Sequence, residues 1–235
     1  TAFAGIKIGL NYMTPLQFAG LRFFLSGLML LPFVGGFKVY WNSIRANGPF
    51  VLKIAFLQTF LMYSLFYTGI NLIPASLGAI VVGSGPLFAV LVAHFMLHND
   101  RLNRRSIVAI ALGISGIALI NWGRQLIGIA KPIELLGVFI LILNNVVGGL
   151  YNVLVVRYQK PIPSMVLSSA SLLIGGLALL LVSIPIEGVG ALPVAAEFYV
   201  SLAWLSFLSA AAFGIWFVLL KRPGIKVSYL NSWKF

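Results

Sequence analysis

No cysteine occurs among the 235 residues, and only four residues are acidic. The first absence excludes a disulfide framework, a thiolate zinc site and a thiol nucleophile. Charge is scarce altogether, at 9% of the chain against roughly 25% in soluble domains. Hydrophobic residues make up 60% and the mean hydropathy is +1.04. That balance excludes an ordinary soluble enzyme, a disordered tail and a fibrous repeat, and describes a polytopic membrane protein. The net charge of +12 would suggest nucleic acid on a soluble domain. Here the basic residues lie between apolar runs, where they report topology instead.

Charge-free stretches at 23–37, 54–99, 106–123, 135–156, 161–186 and 198–220 set the spans. The run 54–99 would measure roughly 69 Å as one helix, more than twice the ~30 Å hydrocarbon core. It must fold back, and Asn71-Leu72-Ile73-Pro74 is the natural break. The spacing predicts helices over about 15–37, 50–71, 74–97, 105–122, 133–156, 162–186 and 199–220, with a partial helix ending near residue 10. Another span is expected to start after Lys226, and both termini read as cut. The ~10-residue alternation of a closed β-barrel is absent.

The loops give an orientation. One alternating set holds 11 basic residues, from Lys38, Arg45 and Lys53 through Lys221, Arg222 and Lys226, with one acid, Asp100. The other holds Arg124 and Lys131 with Glu134, Glu187 and Glu197. Positive-inside asymmetry places loops 38–53, 98–105, 157–161 and 221–226 in the cytoplasm of a multi-pass protein of the plasma (inner) membrane.

The halves also resemble each other. Ala4-Gly5-Ile6-Lys7 leads to Pro15 and a long helix; Gly148-Gly149-Leu150-Tyr151 leads to Pro161, Pro163 and another, at an offset of 144–146 residues. Five helices intervene, an odd number, so the halves run in opposite orientations. Inverted repeats with a site near the midplane are a transporter pattern; the alternative is that any two strings of apolar helices look alike.

Several segments converge on one family. Pro15-Leu16-Gln17-Phe18-Ala19-Gly20-Leu21-Arg22-Phe23 resembles the second-helix signature of the EamA-type transporters of the drug/metabolite transporter superfamily. Pro74 to Ile80 and Gly85-Pro86-Leu87-Phe88 resemble the fourth helix, Leu97 to Leu102 the loop after it, and Gly113 to Leu119 the glycine-rich fifth. Val227 to Phe235 resembles the start of the ninth. The loop acid is Asp100 where the family usually has Glu. The resemblance implies an all-α polytopic membrane protein built from inverted five-helix repeats. About eight of ten expected spans would be present, with repeats at 1–122 (first helix truncated) and 133–235 (truncated at its end). It further implies a transporter, and an exporter of small metabolites such as amino acids, working by alternating access around a central cavity.

Candidate site residues follow from polar groups inside the spans. Lys7 and Arg22 are the intramembrane charges, each costing roughly 2.5–3.5 kcal/mol at mid-bilayer on insertion scales. Either lines a solute path, or Lys7 snorkels and Arg22 snorkels or caps a neighbouring helix. Asn145, Gly149 and Asn152 share one face of the helix 133–156, with Asn144, Gly148 and Tyr151 beside it. That face is either a hydrogen-bonding wall for substrate or an interhelical contact. Thr59, Tyr63 and Tyr67 recur at i, i+4, i+8 on the helix 50–71. Gly83-Ser84-Gly85-Pro86 makes Ser84 a candidate path residue and Pro86 either a hinge or a static kink, because proline leaves a carbonyl without its helical donor.

No phosphate-cradling Gly-Lys-Ser/Thr stretch is present. His94 and His98 lack further ligands in sequence, so neither a metal nor a cofactor is expected. Two histidines and no acid deep in a span do not suit a membrane-embedded enzyme. The same lack of acid points to uniport, exchange or downhill export. The expected partners are a small-molecule metabolite and the lipid bilayer, not nucleic acid; oligomeric state stays open, and a monomer fits. Competing readings are a sugar-phosphate or nucleotide-sugar exchanger, which should carry more Lys and Arg inside its spans, and a non-transporting membrane subunit.

Overall fold

The computed structural model describes residues 2–97, 104–126, 131–188 and 193–224, with positions 190, 226, 227 and 230. The elements in chain order are α1 (Ala2–Leu10), α2 (Pro15–Met29), α3 (Phe37–Ile54), α4 (Met62–Asn71), α5 (Ala75–Gly83), α6 (Gly85–Met96), α7 (Arg104–Leu126), α8 (Pro132–Tyr158), α9 (Ser164–Glu187) and α10 (Ala196–Leu220). A short 3₁₀ turn, Leu31–Phe33, follows α2, and a π-helical stretch, Ala55–Leu61, joins α3 to α4. Among the described residues, six helical stretches are long and apolar enough to cross a membrane. They are Pro15–Phe33, Phe37–Asn71, Ser76–Met96, Pro132–Tyr158, Ser164–Glu187 and Ala196–Leu220.

Three boundaries differ from the sequence expectation. The helix from Pro15 stops at Met29, because Pro32 three residues later gives the chain a 3₁₀ turn in place of another α turn. The helix expected from residue 50 starts at Phe37 and bends at Asn47 (φ −124°, ψ 22°), just before Pro49. The helix expected over 74–97 is interrupted at Ser84, where Gly85 and Pro86 restart it as α6. The expected span after Lys226 and most of loop 98–105 lie outside the described residues.

The described chain packs as two compact units, Thr1–Phe60 with Gln159–Lys221, and Leu61–Tyr158 with Arg222–Phe235. Each draws on both halves of the sequence, so they record packing, whereas 1–122 and 133–235 would record repetition.

The first unit is centred on α2 against α9. In lipid there is little hydrophobic drive between helices, and close backbone approach at small residues replaces it. A Cβ added at Gly20 would lie 3.0 Å from the Gly176 carbonyl oxygen, and one at Gly27 would lie 2.9 Å from that of Ser169. Position rises along α2 as it falls along α9, so the two helices run antiparallel. Phe18, Phe198, Leu202 and Leu205 form an apolar cluster beside this crossing. Glu187, at the end of α9, accepts hydrogen bonds from the Leu16 and Gln17 backbone N–H groups at 2.9 and 3.1 Å, capping the positive end of α2. At the opposite end the Lys221 ammonium donates to the Lys160 (2.9 Å) and Ile162 carbonyls, and partial burial lowers its pKa below the ordinary lysine value.

The second unit packs α4, α5 and α6 on α8. Gly69 and Gly137 face each other, each a bare 3.1–3.2 Å from the other's carbonyl by the same measure. Gly149 lies against Ala89 of α6 in the same way. Ala89, Ala93, Val153 and Val227 close the cluster at the end of α6 and α8. In both units polar side chains such as Ser169, Ser171, Asn145 and Asn152 are buried, while Phe139, Leu181, Ile184 and Phe207 are exposed. That partition suits a hydrocarbon solvent.

Candidate functional site

In the second unit the polar centre forms where α5 breaks. Ser84 closes α5, and Gly85 opens α6 with Pro86 in its first turn, where a missing N–H costs least. At the break the Val81 carbonyl accepts the Ser84 backbone N–H at 3.2 Å and side-chain donors as well. Asn145 Nδ2 donates to it at 2.6 Å, and Ser84 Oγ donates to it at 2.6 Å. Asn145 Nδ2 also reaches Ser84 Oγ at 3.3 Å. Asn144 Nδ2 donates to Asn145 Oδ1 at 3.4 Å, which leaves Asn144 Oδ1 a buried acceptor with no hydrogen-bond partner. Gly85 lets α8 approach, since a Cβ there would stand 3.3 Å from Asn145 Oδ1. Leaving such an acceptor dry costs about 1–3 kcal/mol.

Of the candidate residues, Ser84 and Asn145 are therefore brought together. Pro86, two residues after Ser84, is buried on α6. Asn152 and Tyr151 are buried further along α8, at 3% and 4% exposure. Tyr63 and Tyr67 flank Phe66 on α4: Tyr63 meets its ring at 6.1 Å and Tyr67 at 5.3 Å, both edge-on. Tyr67 is buried and Tyr63 half-buried.

Thr59 belongs to the first unit, on the π-helical stretch. Thr59 packs its methyl side on Gly175 of α9, and its hydroxyl has no hydrogen-bond partner. Neighbouring Gln58 accepts from Ser171 Oγ at 2.8 Å, while its Nε2 and Ser168 Oγ are also buried without partners. Arg22, 8% exposed, aims Nε and Nη2 at one oxygen, Ser209 Oγ, at 3.0 and 2.7 Å. Its guanidinium lies over the Phe23 ring at 4.9 Å. Ser206 Oγ and Ser26 Oγ both donate to the Arg22 carbonyl. The Lys7 side chain lies outside the described residues.

The sequence reading missed Ser209, Ser168 and Ser171. The signal was present: Ser168-Ser169-Ala170-Ser171 is a hydroxyl-rich run in an apolar helix, and Ser206 and Ser209 sit i, i+3 on one face of α10. Two grooves in the first unit, of about 450 Å³ (Phe56, Phe60, Ile174, Val182) and 310 Å³ (Met29, Phe33, Met165, Phe207), are apolar and are lined by none of the candidates.

Apolar helices with polar interiors define the class, an integral multi-pass membrane protein. The EamA-like transporter family model matches residues 1–122, and the chain belongs to that family. It is 27% identical over 91% of its length to an uncharacterized transporter, YvbV, of Bacillus subtilis, covering 68% of that protein. It is 29% identical over 94% of its length to a probable amino-acid metabolite efflux pump of Salmonella typhimurium, covering 73% of it. A 105-residue stretch, 44% of the chain, is 30% identical to an S-adenosylmethionine uptake transporter of Rickettsia bellii, covering 34% of that protein. The fold matches a solved crystal structure at a TM-score of 0.67, with 19% identity and coverage of 99% of this chain and 81% of the other. The protein is a membrane transporter.

Proposed function

We propose that the protein exports small zwitterionic or neutral metabolites, amino acids and their relatives, by alternating access between inverted repeats at 1–122 and 133–235. The observation that carries this reading is the Asn144–Asn145–Ser84 cluster at the α5–α6 break. It combines uncharged hydrogen-bonding groups, a helix interruption and an unmet buried acceptor. Broken helices lining a polar site are how transporters present backbone and amide groups to solutes. The antiparallel crossing of α2 with α9, the pair equated by the repeat, supports the inversion. The name of the Salmonella relative supports the substrate class and direction. In this reading Asn145, Asn152, Tyr151, Ser84, Tyr63, Tyr67, Thr59, Arg22 and Lys7 line the path, and Pro86 marks the hinge. The basic loops face the cytoplasm from the plasma membrane.

The test is counterflow and efflux of an amino-acid panel in liposomes, with Asn145→Ala and Tyr63→Ala beside the parent protein. Saturable flux, reduced about tenfold or more in both variants, is the expected result, since each removes about one or more hydrogen-bond equivalents. Flux unchanged in both would remove the site assignment. Saturable exchange of sugar phosphates with no amino-acid flux would overturn the substrate class.

A further inference from the structure

We propose that the first part of α3, residues 37–47, lies in the membrane interface and binds anionic phospholipid headgroups. The continuous helical stretch Phe37–Asn71 is 35 residues long. At about 1.5 Å per residue it measures about 52 Å, well beyond the ~30 Å hydrocarbon core. Part of it must leave the core, and the bend at Asn47, followed by Gly48-Pro49, marks the point of departure.

The segment before the bend has four faces, because successive residues turn by about 100°, and one of them is the exposed Val39, Asn42 and Ala46. Tyr40, Ser43 and Asn47 share one side. Tyr40 is half-buried and hydrogen-bonds to Ser169 of α9, and Asn47 is buried with its amide on the Ser43 carbonyl at 3.1 Å. Next around the helix come Phe37, Trp41 and Ile44. Phe37 and Trp41 are 78% and 56% exposed, with their rings stacked at 6.5 Å and 11°. Beside them come Lys38 and Arg45, both exposed. Residues 36–54 contain no Asp or Glu, and Lys53 adds a third exposed cation past the bend.

These faces settle the environment by exclusion. Water would leave two large stacked rings exposed without reward. Hydrocarbon would strand Lys38 and Arg45. Only the headgroup layer satisfies both, with the aromatic stripe reaching toward the acyl chains and the cations at its edge. The basic edge, unopposed by acid, selects negatively charged headgroups. This surface shares no residue with the polar cluster at Ser84 and Asn145, so it stands or falls independently of the transport substrate.

The test isolates Trp41 fluorescence as the difference between the protein and its Trp41→Phe variant, reconstituted in phosphatidylcholine vesicles. Brominated phosphatidylglycerol and brominated phosphatidylcholine are added in parallel at equal mole fraction. Trp41 emission should be quenched by both lipids, and several-fold more efficiently by the glycerol lipid. In a Lys38→Gln/Arg45→Gln double variant the excess should vanish while the phosphatidylcholine quenching stays. Equal quenching by the two lipids in the parent protein would overturn the headgroup selectivity. Trp41 unquenched by either would overturn the interfacial placement, whether the segment lies in water or against a second copy.

Discussion

Arg22 shows how much of the chemistry rests on single side chains. A guanidinium has five N–H donors, yet its hydrogen bonds converge on one hydroxyl, that of Ser209. For packing alone an apolar side chain of similar length would serve as well or better, because desolvation outweighs a weak pairing. Arg22→Met should therefore hold or raise the melting temperature in detergent while lowering flux; a fall in melting temperature with flux per folded molecule unchanged would make Arg22 a structural residue. Ser209→Ala should do the opposite to stability, costing about 1–3 kcal/mol by leaving buried donors unmet. Neither consequence could be read from the sequence. Arg22 stood out as a rare intramembrane charge, but its acceptor lies on a helix far along the chain. The Asn145 partner was hidden for a related reason: it is the Val81 backbone carbonyl, which no side-chain pattern announces. Asn144 and Asn145 themselves were conspicuous, as amides in an apolar helix always are.

At the scale of elements, breakers were legible and subtler deviations were not. Pro15 correctly opened α2, and Gly85-Pro86 correctly marked a break inside the fourth predicted helix. The π-helical stretch Ala55–Leu61 has no Gly or Pro, so a sequence reading had no cue for it. The charge pattern places Glu134 among the loop acids, whereas it is buried in the first turn of α8. The glycines of α2 and α9 were passed over because a small residue in an apolar helix is commonplace; only their mutual approach gives them meaning. Gly176→Leu should lower the thermal midpoint far more than Leu181→Ala. The first forces side-chain atoms into the Phe24 backbone, with Phe24 N only 2.5 Å from a Cβ at that site. The second trims a group that is 60% exposed on the lipid side. Overpacking at such a contact costs at least about 1–3 kcal/mol, and a thermal shift series in one detergent measures the contrast.

For the molecule as a whole, the lack of cysteine makes topology directly measurable. A single introduced thiol has no background. Val194, between α9 and α10, is 97% exposed, and Gln159, between α8 and α9, lies at the other end of α9. Val194→Cys in intact cells should react with an impermeant maleimide, whereas Gln159→Cys should react only after the membrane is opened. The reverse pattern would invert the orientation proposed from the basic loops while leaving the fold untouched. The segmental make-up of the first unit also has a consequence in time. Arg22 and the hydroxyl that receives it are 187 residues apart. At roughly 5–20 residues per second, a ribosome needs about ten to forty seconds to produce the second after the first. Through that interval the nascent α2 sits in the bilayer with a cation and a backbone-to-backbone seam that no finished neighbour covers. The insertion machinery, or the lipid itself, has to shelter both until α9 and α10 arrive.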